Sequence, residues 1–115
     1  MSSVSWGRKN RYRFGACGEL SRSNAPIMPG VYAITYRQDP HFKPKAHTVF
    51  FFGESDDLSK GLPAISSDIR SWWHEHSADD AELFVFLHPM PGSTVVDRAR
   101  VKSQLVYEYC PRGNA

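Results

Sequence analysis

A chain of 115 residues, 41% hydrophobic, 13% aromatic and 23% charged, has the composition of one small folded domain, which excludes wholesale disorder and makes two domains hard to fit. No apolar run approaches the ~20 residues that cross a bilayer, and the first residues lack the apolar stretch of a signal peptide, so a soluble, cytoplasmic protein without a membrane partner is expected. The formal charge of +2 is too small to argue for nucleic acid by itself.

Residues 1–25 mix Gly, Ser, Asn and Arg without a clear period and are read as a basic N-terminal arm. Arg8, Lys9, Arg11, Arg13 and Arg22 stand there against the single acid Glu19, and Trp6, Tyr12 and Phe14 interleave with them. Such a mixture can hold phosphates while stacking on bases, which makes DNA the candidate partner and Arg8, Lys9, Arg11 and Arg13 the candidate contacts. The competing reading is a solvated surface arm whose aromatics pack on the domain. Cys17, in this arm, and Cys110 form no Cys-x-x-Cys motif and are expected to be reduced thiols.

Pro26 and Pro29 end the arm, and the domain is placed at residues 26–115. Residues 30–36, rich in β-branched and aromatic side chains, predict a first strand. The stretch 37–47 carries Asp39-Pro40 and Pro44 among charged residues and predicts a loop, after which residues 48–52 form a second strand ended by Gly53. Neighbouring strands joined in this way pair antiparallel. Ser55 is placed as the N-cap of a helical turn at residues 56–60, which Gly61 and Pro63 interrupt. Ile65, Ile69, Trp72 and His76 then recur at helical spacing and place an amphipathic helix from about Ala64. Trp72 falls on the apolar stripe, which leaves Trp73, with Arg70 on the same helix, as the candidate nucleic-acid contacts.

His74-Glu75-His76 is not the His-Glu-x-x-His spacing of a zinc helix, and histidines two apart point to different sides of a helix, so no metal site is assigned. Ser55 and His47 flank the second strand without an acid to complete a hydrolase triad. Residues 82–88 predict a third strand buried on both sides, closed by Pro89, Pro91 and Gly92. A final helix is expected from Ser93 or Thr94 to Tyr109, stopped by Pro111. Its apolar face reads Val95, Ala99, Leu105, Val106 and Tyr109, with the charged Lys102 on the same side.

The order Gly30-Val31-Tyr32, then Phe51-Phe52-Gly53, then Leu58, then Leu105-Val106 and the ending Pro111 to Asn114 resembles the GIY-YIG nuclease superfamily. The resemblance covers residues 29–114 and implies an α/β fold with a small, mostly antiparallel three-stranded sheet flanked by helices. It implies a shallow site in which two tyrosines, a helical arginine and a metal-binding glutamate hydrolyse a phosphodiester with one divalent ion, Mg or Mn. Carried onto this chain, the site positions are Tyr32, which matches, and Phe51, Gly61 and Lys102, which replace the second tyrosine, the arginine and the glutamate; Asn114 matches the terminal asparagine. With arginine and glutamate missing, no cofactor is expected, and the leading function is a catalytically impaired, nucleic-acid-associated relative of these nucleases. The alternatives are an active metal-dependent endonuclease with a rearranged site using Arg70, and a protein-interaction module built on the scaffold.

Overall fold

The computed structural model describes residues 3–37, 47–76 and 82–114. Five strands and two helices follow one another as β1 (Ser3–Trp6), β2 (Tyr12–Glu19), β3 (Gly30–Arg37), β4 (His47–Ser55), α1 (Leu58–His76), β5 (Phe84–Pro89) and α2 (Val95–Tyr109), with 3-10 turns at Leu20–Arg22 and Arg112–Asn114. The strands form one sheet in the order β1-β2-β5-β3-β4, and every neighbouring pair is antiparallel. The α/β class is as expected, but the sheet has five strands and not three.

The two additional strands come from the residues read as an arm. Trp6 lies opposite Tyr12 in a hairpin, and Trp6 and Phe14 are buried. The pattern is the period of two of a half-buried strand: Tyr12, Phe14 and Ala16 pack towards the core, while Arg11, Arg13 and Gly15 are exposed. Short side chains at Gly15, Ala16, Cys17 and Gly18 hide it, and a bulge between Ala16 and Gly18 breaks it. Gly18 sits at φ +88°, where a residue with a Cβ would be strained.

Successive residues of β3 feed opposite faces of the sheet. Tyr32 and Ile34 pack with Phe51, Val85 and Leu87 beneath Leu58, Leu62, Ile69 and Trp73 of α1. Val31 and Ala33 pack with Phe14, Phe52 and Phe86 beneath Val101 and Leu105 of α2. This central strand is covered on both sides, so its sequence reads as an apolar run and not as an alternation.

Both helices depart from expectation in register. Helix α1 starts at Leu58 and runs through Gly61 and Pro63 without a break; Asp57, and not Ser55, caps it, its Oδ1 accepting from the Ser59 backbone N–H at 3.0 Å. Pro63 comes early in the helix, where a missing N–H removes a single bond from the ladder and leaves the remaining turns intact. Helix α2 begins as expected: Thr94 accepts from the Asp97 N–H, and Asp97 accepts from the Thr94 N–H in return, a reciprocal capping box. It ends at Cys110, which takes the left-handed conformation at φ 47° with its N–H donating to the Val106 carbonyl. Its buried stripe is Arg98, Val101 and Leu105, whereas Val95 and Ala99 are exposed. Lys102 therefore flanks the buried stripe instead of lying on it.

Candidate functional site

Tyr32 occupies the middle of β3, opposite Gly53 on one side and Leu87 on the other. It is 3% exposed. A Cβ at position 53 would enter the Tyr32 ring around its hydroxyl, so glycine is what lets the second motif strand lie against that phenol. Phe51 packs on Tyr32 at 6.2 Å between ring centroids, and Trp72 packs on Phe51 at 5.8 Å. At this position a phenyl ring fills space and donates nothing.

Burial, and after it the Glu54 carboxylate, push the Tyr32 phenol from 10.0 up to about 12. The group is neutral at pH 7 and cannot serve as a phenolate base there. Because the folded value lies above the unfolded one, its contribution to stability is complete below pH 10 and is lost as pH rises through about 12. A spectrophotometric titration is expected to show a tyrosine step near pH 12 that Tyr32→Phe removes; a titration curve unchanged by that substitution would contradict the burial.

Gly61 faces β4 from the first turns of α1. A Cβ there would collide with the Ser55 hydroxyl and lie 2.7 Å from Ser55 Cβ, and that hydroxyl is held by donating to the Asp57 carbonyl at 2.9 Å and accepting from the Asp57 N–H at 3.1 Å. Position 61 therefore has no room for an arginine unless Ser55 gives way.

The Arg112–Asn114 turn closes the outer edge of β4. The Phe52 N–H donates to Asn114 Oδ1 at 2.8 Å, and Asn114 Nδ2 donates to the Phe52 carbonyl at 2.9 Å. One side-chain amide thus does for Phe52 what a further strand would do. Gly113 makes the approach possible, since a Cβ there would lie 2.7 Å from the Phe50 carbonyl oxygen.

Lys102 is half-buried and lines an open cavity of about 420 Å³ with Val106, Tyr107 and Asn114. The structure does not bring it together with Tyr32: Tyr32 and Phe51 pack under α1, whereas α2, which carries Lys102, covers the other face of the sheet. Asn114, which lines the Lys102 cavity and holds Phe52, links that cavity to the motif strand.

A pair that sequence reasoning missed sits beside these positions. Arg98, 4% exposed, donates from Nε to Glu54 Oε2 at 2.9 Å and from Nη1 to the Ser93 carbonyl at 2.8 Å and hydroxyl at 3.0 Å. Glu54 directly follows Gly53. The available signal was the helical spacing of Arg98 with Val101 and Leu105, which puts an arginine on a buried stripe.

The candidate nucleic-acid contacts divide into two groups. Arg8, Lys9, Arg11 and Arg13 are exposed on the β1–β2 hairpin, whose turn is fixed to α2 by the Arg8 and Lys9 N–H groups donating to the two carboxylate oxygens of Glu108 at 2.8 and 3.0 Å. The Arg8 backbone bond is the main cause that holds the Glu108 carboxyl below its ordinary range. Arg70 lies 3.6 Å from Glu82. Trp73, expected as the freer ring, is in the core at 8% exposure against Tyr36 and Phe50, so it cannot stack on a base; Trp72 is the half-buried one. Trp6 and Phe14 are likewise core. His74 and Glu75 are exposed, the His76 side chain lies outside the described residues, and no three His, Cys, Asp or Glu side chains converge as metal ligands among the described residues.

Comparison with known proteins finds no matching family model, no matching curated protein and no matching solved structure.

Proposed function

We propose that the chain is a GIY-YIG-like domain that associates with nucleic acid and is catalytically impaired. The observation that carries this reading is the packing at position 61. The residue aligned with the superfamily's arginine is a glycine whose Cβ space is already taken by a hydrogen-bonded Ser55. Three further features support it: the two motif segments pair with Tyr32 against Gly53, Phe51 brings a phenyl ring where a hydroxyl is required, and Asn114 clamps the motif strand at Phe52. Arg70, the substitute arginine of the active-enzyme alternative, is engaged by Glu82. With glycine and lysine at the positions aligned with the superfamily's arginine and glutamate, the charge that builds in phosphodiester cleavage loses the two stabilisers that those residues supply.

The nucleic-acid part of the reading rests on four exposed cations brought together by one hairpin. The core packing of Trp6 and Phe14 takes two of the three interleaved aromatics away from base stacking and favours phosphate contacts as the mode of binding. Fluorescence anisotropy with a short DNA duplex is expected to show binding that weakens steeply with salt. Arg11→Glu with Arg13→Glu should weaken it at least roughly tenfold and shift the salt slope towards zero by about 0.9 for each phosphate no longer neutralised. No binding at low salt, together with a stable homodimer or partner complex, would favour the protein-interaction alternative instead.

A further inference from the structure

At the far ends of β3 and β4, Arg37 and His47 stand directly opposite each other in the antiparallel register. Arg37 is six residues from Val31 and His47 precedes Val49 by two, so both belong to the α2 face of the sheet, the side opposite Tyr32. They open onto a pocket of about 120 Å³ walled by Phe84 and Phe86 of β5 and floored by Ala16 and Gly18 of β2. That volume suits a single small anion and falls short of what a nucleoside-sized ligand needs, about 300 Å³ or more.

Among the described residues, each basic group is held by its face or by one edge, with the rest left over. The Arg37 guanidinium carbon lies 5.0 Å from the Phe84 ring centroid, and a guanidinium stacked on a ring still directs its N–H groups outward in its own plane. The His47 ring stands edge-on to Phe84 at 5.2 Å and to Phe86 at 5.0 Å. Its Nδ1 is 2.9 Å from the hydroxyl of the fully buried Thr35, and a ring fixed through Nδ1 presents Nε2 as its second polar edge. Over the floor there is room: a Cβ built on Gly18 meets no atom within 4 Å.

Two basic side chains facing each other across a strand pair repel when both are charged. Burial, and after it Arg37, hold the His47 imidazole below its ordinary pKa. Glu19, an acid near in register, lies opposite Phe84 and is engaged with Arg22 at 3.8 Å. An oxyanion between the two basic groups would remove their repulsion and accept from both.

We propose that the pocket between Arg37 and His47 binds a phosphate group, with the Arg37 guanidinium edge and His47 Nε2 as its donors. The recognised chemistry is the phosphate oxyanion itself, which a small phosphate and a nucleic-acid backbone share. The site uses neither Tyr32 nor the exposed cations Arg8, Lys9, Arg11 and Arg13 of the hairpin.

The test is an NMR titration of the full chain at constant ionic strength with inorganic phosphate and, separately, with a single-stranded oligonucleotide lacking terminal phosphates. Saturable movement of the His47 ring signals by phosphate is expected. Arg37→Met should weaken it roughly tenfold or more, and His47→Gln should weaken by a similar factor the phosphate-induced movement of the Gly18 and Val85 backbone amide signals, the change expected from losing one charge-assisted bond. Arg37 is exposed, so its variant should keep the wild-type amide spectrum away from the pocket even if the His47 variant does not. If the oligonucleotide moves the same signals and competes with phosphate, the source is a backbone phosphodiester; if only phosphate moves them, it is a small phosphate. Absence of saturable His47 movement with either probe overturns the proposal, even where the oligonucleotide shifts the hairpin signals and so supports DNA binding there. An undiminished response to phosphate in Arg37→Met overturns it as well.

Discussion

Arg98→Met is expected to lower the unfolding free energy by about 3 kcal/mol, because it leaves Glu54 with its partner removed in a largely buried setting. The Arg98 side chain is 5% exposed and that of Glu54 23%, and the arginine makes three hydrogen bonds that tie β4 to the start of α2. Methionine conserves most of the stem and its packing, so the effect reports the guanidinium and not a cavity. Changing both partners, Arg98→Met with Glu54→Met, should recover most of the stability, since a buried pair replaced by apolar groups is often close to neutral. Urea unfolding with unchanged m-values decides it. A single variant as stable as the wild type would show that the pair contributes nothing, and a double variant worse than the sum of the singles would show that its role is not electrostatic.

Gly53→Ala is expected to cost about 2 kcal/mol through overpacking, within the roughly 1–3 kcal/mol typical of an added methyl in a filled core. The added carbon would occupy the Tyr32 ring position, and Tyr32 has little room to move between Phe51 and the α1 side chains packed on that face. The tyrosine must leave its rotamer or β3 and β4 must part. Gly15→Ala is the control: the same substitution in β2 meets nothing within 4 Å and should change stability by less than about 0.5 kcal/mol. Equal effects of the two substitutions in thermal or urea unfolding would contradict the close approach of Gly53 to Tyr32.

How much of this was legible follows from what each signal depends on. Strands β3 and β5 and helix α2 could be read because their apolar runs are bounded by Gly, Pro or a capping threonine, all local cues, whereas β4, read as ending at Gly53, runs on through it to Ser55. The hairpin β1–β2 could not, because its inward residues alternate with arginines and then give way to four small residues around a bulge. Cutting α1 at Pro63 removed Leu58 and Leu62 from its stripe. With them the buried positions run 58, 62, 69 and 73, which puts Trp73 in the core; without them the count from Ile65 selects Trp72. In α2 the stripe was displaced for a related reason, since one of its buried positions is an arginine that hydropathy assigns to the surface.

The site divides in the same way. Tyr32, Gly53 and Asn114 stand out in the sequence, and each has a physical role in the fold. Tyr32 is a buried phenol, Gly53 permits a close backbone approach, and Asn114 clamps the strand edge. The partnership of Glu54 with Arg98 spans 44 residues, and no local pattern connects two charges so far apart. The crowding between Gly61 and Ser55 is also a tertiary fact, since only the turn from β4 into α1 brings the two together.

Catalytic impairment is tested most directly by a cleavage assay. Supercoiled plasmid incubated with the purified chain and Mg or Mn is expected to remain uncut at concentrations that bind DNA, with Tyr32→Phe indistinguishable from the wild type. Metal-dependent nicking by the wild type that Tyr32→Phe abolishes would contradict it.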